Sequence, residues 1–374
     1  MFTIFLSGVL AFFVTLLAIP SIIQVAKEKK LFDEPDDRKI HKTVIPTLGG
    51  LGVFAGFILS LLLMASNSSG ELQYFVAAAI LLFFLGIKDD ILIISPAKKL
   101  IGQFLAAGIL VQYGDLQITD LFGFMGVFQL APIASIPFTL LTIVFLINSF
   151  NLIDGVDGLV GSIGLLTSLF FGAYFLFTGQ PFYAIIGFSL AGSLLAFLLF
   201  NFSPASIFMG DTGSLLIGVV NAIMAIKFIV FASNKDGAIP LASAPALAIG
   251  ILIIPIFDTI RVFGLRILNK RSPFRPDRTH IHHFLLDLGF SHRKVTLICV
   301  LVNIGFISLV FLLRNLGTTI LIGIVMTIAF ALMGLVHYKR SILLSQTSKD
   351  LQDKRNLLPS FPSNLLAPKT VEIN

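Results

Sequence analysis

Apolar residues come in long unbroken runs along this chain, separated by short polar segments, and within the runs apolar and polar positions do not alternate with a period of two. Lipid offers the backbone no hydrogen-bond partner, so a chain crosses it only as helices or as a closed barrel. Barrel strands alternate their faces, whereas an apolar run of about 20 residues has the length of a spanning helix. The pattern predicts an all-α polytopic membrane protein with spans at 2–24, 48–66, 73–87, 98–113, 132–149, 158–178, 182–200, 213–232, 241–262, 295–313 and 317–337. The first run has no basic segment ahead of it and is followed by KEKK, so it is expected to be an uncleaved span and not a signal peptide. Residues 1–340 then form a transmembrane domain, and 341–374, polar with scattered prolines, a tail that is mostly disordered or lies on the surface.

Composition agrees with a membrane protein. Of 374 residues 56% are hydrophobic and 12% charged, against roughly 25% charged in a soluble domain. The lone Cys299 lies in an apolar run, which excludes a disulfide framework and a cysteine metal site. Eleven spans put the termini on opposite faces, and numbering the loops alternately sorts the charges: 23 of 26 basic residues fall on one side, only Lys235 and Arg314 on the other. By the positive-inside rule the basic side is cytoplasmic, with the N-terminus outside and the C-terminus inside a plasma membrane. Lys227 lies inside a span about one turn from its outer end, where a long side chain is expected to snorkel to water. Topology and anionic lipid account for much of the net charge of +6, which calls for no nucleic-acid partner.

The acids sort the same way. Only Glu71, Asp115, Asp120 and Asp236 are external; the other sixteen are on the cytoplasmic side, several in short loops that carry little positive charge. Three of those loops hold Asp89 and Asp90, Asp154 and Asp157, and Asp211, and a fourth, long and basic, holds His280, His282 and His283. Acidic loops converging on one face beside a loop of Arg and His have the composition of a site for a divalent cation and a polyphosphate. Mg²⁺ takes oxygen ligands, keeps several waters and needs only one or two carboxylates, while Arg forks onto phosphate oxygens. Taken singly, each loop has an ordinary reading: Asp-Gly marks turns, Asp caps helices, and HxHH suggests zinc, although the neighbouring arginines repel a bare cation. A cation-coupled transporter is the rival from another class, but transporters bind near the bilayer midplane, where this sequence has no acid.

The segments LFDEPDDRKIHKTVIPTLGG, GIKDDILIISPAKKLIGQ, NSFNLIDGVDGLVG, IFMGDTGSLLIG and SPFRPDRTHIHHFLLDLGFS resemble, in the same order, the signatures of the polyprenyl-phosphate N-acetylhexosamine-1-phosphate transferases. The resemblance implies a Mg²⁺-dependent enzyme, with Mn²⁺ able to substitute. In the implied reaction a membrane polyprenyl phosphate attacks the β-phosphorus of a UDP-N-acetylhexosamine and releases UMP at the cytoplasmic face. It implies Asn151 and Asp211 as metal contacts, and Asp89, Asp90, Asp154 and Asp157 as catalytic acids. Substrate contacts implied are Lys99, Arg275 and Arg278 on the diphosphate, Phe208 on uracil, and His280, His282 and His283 on diphosphate or sugar. The spelling PDRTHIHH, in which Ile281 interrupts the histidines, resembles the branch that starts O-antigen, enterobacterial common antigen or teichoic acid linkage with GlcNAc-1-phosphate. Other UDP-N-acetylated sugars are alternative donors, and a homodimer is among the assemblies the family allows.

Overall fold

A computed structural model describes residues 1–29, 45–65, 70–92, 94–233, 238, 239, 241, 243–272 and 279–357, with side chains beyond 346 described only at Lys349. The elements in chain order are α1 (Phe2–Glu28), α2 (Gly49–Met64), α3 (Leu72–Ile91), α4 (Pro96–Gln112), β1 (Asp120–Phe124), β2 (Val127–Gln129), α5 (Pro132–Leu152), α6 (Leu159–Phe177) and α7 (Pro181–Asn201). They continue with α8 (Gly210–Ser233), α9 (Ala244–Ile251), α10 (Ile253–Leu268), α11 (Ile281–Asp287), α12 (His292–Leu312) and α13 (Thr318–Leu357). Each predicted apolar run is helical, and the one short antiparallel hairpin among the described residues pairs Asp120 with Gln129 and Phe124 with Val127.

Among the described residues, seven helices are long and apolar enough to cross a membrane, or eight with α9 and α10 taken as one bent span. Of the rest, α2 is shorter, and α3 and α4 carry Lys88, Asp89, Asp90, Lys98 and Lys99 at the ends that face each other across residues 92–95. Proline opens α4, α5 and α7, where its missing N–H leaves no bond unmade. Helices α7 and α8 are buried along most of their length and form the centre of the bundle. Small residues let their neighbours approach: a Cβ on Gly192 of α7 would stand 2.0 Å from the Gly8 carbonyl oxygen of α1, the close packing that holds helices together where lipid removes the hydrophobic drive.

The ninth predicted span is broken. Helices α9 and α10 meet at an 84° bend, and the backbone groups freed there are met by Asn303 of α12, whose Nδ2 donates to Ile251 O (2.9 Å) and whose Oδ1 accepts from Ile254 N (3.5 Å). A break in a span is tolerated when neighbouring side chains satisfy it in this way. Helix α13 also differs from expectation: it continues past the polar boundary to Leu357, so the tail is helical over residues 341–357.

Lys227 does not reach water. It is 5% exposed, and its ammonium lies 3.0 Å from Glu71 Oε1 and donates to Asp115 O at 3.0 Å, while Tyr183 donates to Glu71 Oε2 at 2.7 Å. A carboxylate supplies the charge compensation that snorkelling would have obtained from solvent. This cluster marks one end of the bundle: α8 carries Asp211 in its first turn and Lys227 toward its other end, and α3 starts beside Glu71 and carries Asp90 in its last turn. At 1.5 Å per residue the sixteen steps from Asp211 to Lys227 span about 24 Å, close to the thickness of a bilayer's apolar core.

Candidate active site

At the other end of α3 and α8, four helices bring polar side chains to one point. Asp89 lies in the last turn of α3, Lys99 in the first turn of α4, Asn151 at the end of α5, and Asp211 and Ser214 in the first turns of α8. The Lys99 ammonium is 3.1 Å from Asp89 Oδ2 and 3.2 Å from Asn151 Oδ1, and it pairs with Asp211 Oδ2. Asn151 Nδ2 donates to Asp211 Oδ1 and, at 2.9 Å, to Ser214 Oγ. Asp89 Oδ1 also accepts from Ile94 N at 2.9 Å, which fixes the turn from α3 into α4.

Asp90 faces elsewhere, because consecutive residues on a helix diverge by about 100°. Its carboxylate accepts from Asp211 N (2.7 Å), Thr212 N (3.0 Å) and the Thr212 hydroxyl. These are donors that the first turn of α8 leaves unpaired, and a carboxylate also suits the positive end of that helix. Gly210 permits this approach: its φ is +70°, and a Cβ there would stand 2.2 Å from Thr47 O. Backbone pairing from Phe208 N to Pro46 O (2.8 Å), Gly49 N to Phe208 O (2.9 Å) and Gly50 N to Met209 O (2.8 Å) ties the PTLGG segment to IFMGDTG. Phe208 is thereby set three residues before Asp211, partly buried.

The two aspartates of NLIDGVDG separate. Asp154, in the turn after α5, has Asp211, Asp90 and Lys99 as its charged neighbours, and its carboxyl is held well above the usual range, first by burial and then by the two negative aspartates. Asp157 has other partners: Oδ1 is 3.1 Å from His292 Nδ1, Oδ2 accepts from Ala205 N (3.2 Å), and its carbonyl accepts from the Thr296 hydroxyl (2.8 Å). Asp157 thus fastens the turn to the segment after α7 and to α12.

The histidines sit on the far side of that turn. His280 Nδ1 is 2.8 Å from Asp258 Oδ2, and Asp258 Oδ1 accepts from Ile281 N (3.0 Å) and Arg261 (2.8 Å). His282 packs against Gly155, where a Cβ would be 2.5 Å from its Nε2. Burial, followed by the neighbouring His283, pushes His282 down to about 3, so its ring is neutral. The His282 and His283 ring centroids are 4.3 Å apart, and the His280 ring lies parallel to that of His282 at 5.5 Å. Arg275 and Arg278 lie outside the described residues. Sequence reasoning gave no role to Asp258, Arg261 or His292. The signal for the first was available: Asp258 falls inside the predicted span 241–262, where a carboxylate is costly and needs a partner.

The profile of glycosyl transferase family 4 matches residues 72–229. A probable undecaprenyl-phosphate N-acetylglucosaminyl 1-phosphate transferase of Bacillus subtilis (strain 168) is 32% identical over 304 residues, covering 80% of this chain and 82% of that protein. The chain belongs to glycosyl transferase family 4. A second family relative, the decaprenyl-phosphate N-acetylglucosaminephosphotransferase of Mycobacterium leprae (strain TN), is 33% identical over 355 residues, 86% of this chain and 88% of its own. A third, the undecaprenyl-phosphate alpha-N-acetylglucosaminyl 1-phosphate transferase of Escherichia coli (strain K12), is 29% identical over 284 residues, 74% and 75% of the two chains. The family 4 profile takes in the Lys99 cluster and both aspartates of NLIDGVDG, and ends before Asp258 and the histidines.

The residues of this family 4 protein fit a hard divalent cation. Among the described residues no three His, Cys, Asp or Glu side chains converge as a metal cage. Asp211 and Asn151 nevertheless offer a carboxylate and an amide oxygen aimed at one point, with the Ser214 hydroxyl beside them. That donor set suits Mg²⁺, which is held by one or two carboxylates together with water and substrate phosphate.

Proposed function

We propose that the chain transfers N-acetylglucosamine-1-phosphate from UDP-GlcNAc to undecaprenyl phosphate at the cytoplasmic face of the plasma membrane, releasing UMP and starting a surface glycan. The observation that carries this reading is the convergence of Asp89, Lys99, Asn151 and Asp211 at one end of α3, α4, α5 and α8. The donor is charged and water-soluble and the acceptor is anchored in lipid, so a polar cluster at the rim of an apolar bundle is where both are within reach. The relatives, named for transfer of N-acetylglucosamine phosphate to undecaprenyl or decaprenyl phosphate, support the substrate class.

In the proposed step an oxygen of the lipid phosphate forms a bond to the donor's β-phosphorus. The bond from that phosphorus to the bridging oxygen breaks, and UMP departs with the electron pair. A phosphate monoester with a second pKa of about 6 is largely ionised at neutral pH, so we assign Asp89 to orient it and to take the proton of the monoanionic fraction. Lys99 lies against the developing charge on the diphosphate, where stabilisation rather than covalent chemistry sets the rate. Asp211 and Asn151 would hold Mg²⁺, which when bound supplies further positive charge to the diphosphate oxygens. Asp90 holds the first turn of α8, and with it Asp211, in register. The neutral His282 offers a hydrogen bond to diphosphate or sugar without adding charge, and His283 stands beside it for the same substrate groups.

UMP release from UDP-GlcNAc by the purified protein in detergent tests the reading. Release is expected to require undecaprenyl phosphate and Mg²⁺, with Mn²⁺ substituting, and to fall at least about a hundred-fold in Asp211→Ala, the scale of losing one electrostatic stabiliser. Full activity in that variant, or in chelator, refutes it. UDP-GalNAc, UDP-QuiNAc and UDP-FucNAc offered separately are expected to turn over more slowly than UDP-GlcNAc.

A further inference from the structure

Lys99 stands at the centre of the cluster. An ammonium has three donors, and here the three are directed to three oxygens from three helices: Asp89 Oδ2, Asn151 Oδ1 and Asp211 Oδ2. Its side chain is only 14% exposed, against 12% for Asp89 and 25% for Asp211. Two of those oxygens, on Asn151 and Asp211, are the ones assigned above to the metal. A divalent cation bound to both would sit about 2.1 Å from each, in the space the Lys99 ammonium fills.

From this geometry we propose that Lys99 is an internal counter-cation: it and the divalent metal exclude each other from the Asn151 and Asp211 oxygens until the donor's diphosphate draws the ammonium away. The inference rests on the metal assignment under the proposed function and adds a sign to it. With the acids unpaired, like-charged carboxylates in a half-buried site would repel, and Lys99 spares the resting protein that cost. When a diphosphate arrives it offers Lys99 a better anion, and the freed oxygens take the metal. Metal and donor therefore bind cooperatively, and by linkage each tightens the other by the same factor.

Mn²⁺ binding to the full-length protein in detergent, read from the free-ion electron paramagnetic resonance signal without lipid acceptor, tests this apart from turnover. In the wild type, saturating UDP-GlcNAc is expected to tighten Mn²⁺ at least about ten-fold, equivalent to about 1.4 kcal/mol. Lys99→Met without donor is expected to bind Mn²⁺ at least about ten-fold more tightly than the wild type, with donor adding less than about two-fold. Lys99→Gln serves as a second variant and Lys98→Met, on an exposed neighbour, as a control expected to change nothing. Adding Asp211→Asn to Lys99→Met is expected to abolish binding. Equal or weaker Mn²⁺ binding in the Lys99 variants, no coupling to donor in the wild type, or persistence of binding without Asp211 overturns the proposal. Coupled binding without UMP release in the presence of lipid would refute the proposed reaction and leave this inference standing.

Discussion

Replacing Asp258 by Asn removes a charge while keeping the shape of the side chain, and the structure sets the size of the effect. Asp258 is 1% exposed and accepts from His280, Ile281 N and Arg261. The amide retains one acceptor and turns a donor toward groups that themselves donate, and Arg261, 7% exposed, loses its buried counter-charge. Removing one partner of a buried ion pair costs about 3–5 kcal/mol, and the surviving oxygen argues for the lower end. If about 3 kcal/mol of what holds His280 must be supplied on each substrate encounter, UMP release falls by roughly a hundred-fold at 1.4 kcal/mol per decade. The assay pairs UMP release with thermal unfolding in detergent, for Asp258→Asn, His280→Gln and the double variant. If Asp258 acts through His280, the double variant loses little more activity than the worse single one, the signature of coupled residues. Activity within two-fold of wild type in Asp258→Asn, or losses that simply add, would refute the positioning role.

Other outcomes follow from close contacts and burial. Gly86→Ala sets a Cβ 2.5 Å from Thr212 Cα, so it should push α3 off the start of α8, cost about 1–3 kcal/mol and sharply lower turnover, whereas Gly108→Ala, with nothing within 4 Å, should be silent in both assays. His282 is held near 3 against an ordinary 6.5, so unfolding takes up a proton between those values. The stability tied to that ring is complete above about pH 6.5 and falls by about 1.4 kcal/mol per pH unit below it. Melting temperatures measured from pH 7.5 to 4.5 should therefore drop less steeply in His282→Gln, and parallel slopes would count against a buried neutral ring. Lys227→Met strands Glu71 beneath Tyr183 and should lower the melting temperature, with Glu71→Gln in the same chain recovering most of the loss and UMP release per folded molecule unchanged in both.

Much of the architecture was legible in the sequence because it depends on local periodicity. Each apolar run is helical, the ninth as two helices, and the prolines at positions 96, 132 and 181 stand at helix starts. The bend between α9 and α10 had a local trace too, Gly250 and Pro255 on either side of Leu252, but its energetic permission comes from Asn303, about fifty residues away. The hairpin at 120–129 falls between two apolar runs and left only a local trace, Gly123 and Gly126, both at positive φ. At the site, sorting acids by side of the membrane found the loops that hold Asp89, Asn151 and Asp211. It could not divide the roles of Asp89 and Asp90, which depend on where α8 begins, or send Asp157 to His292. Lys227 was misjudged for the same reason: the single-span rule supplies water as its partner, while the fold supplies Glu71, 156 residues earlier.

The two polar layers at the ends of α3 and α8 also make the protein a gauge of its surroundings. A rigid gap of about 24 Å between Asp211 and Lys227 fixes how much apolar height the central helices present, and a thicker bilayer must thin locally or tilt the bundle to match it, at a fraction of a kcal/mol per Å. Lipid chain length should therefore tune this protein, with short-chain membranes accommodating it at the lowest elastic cost.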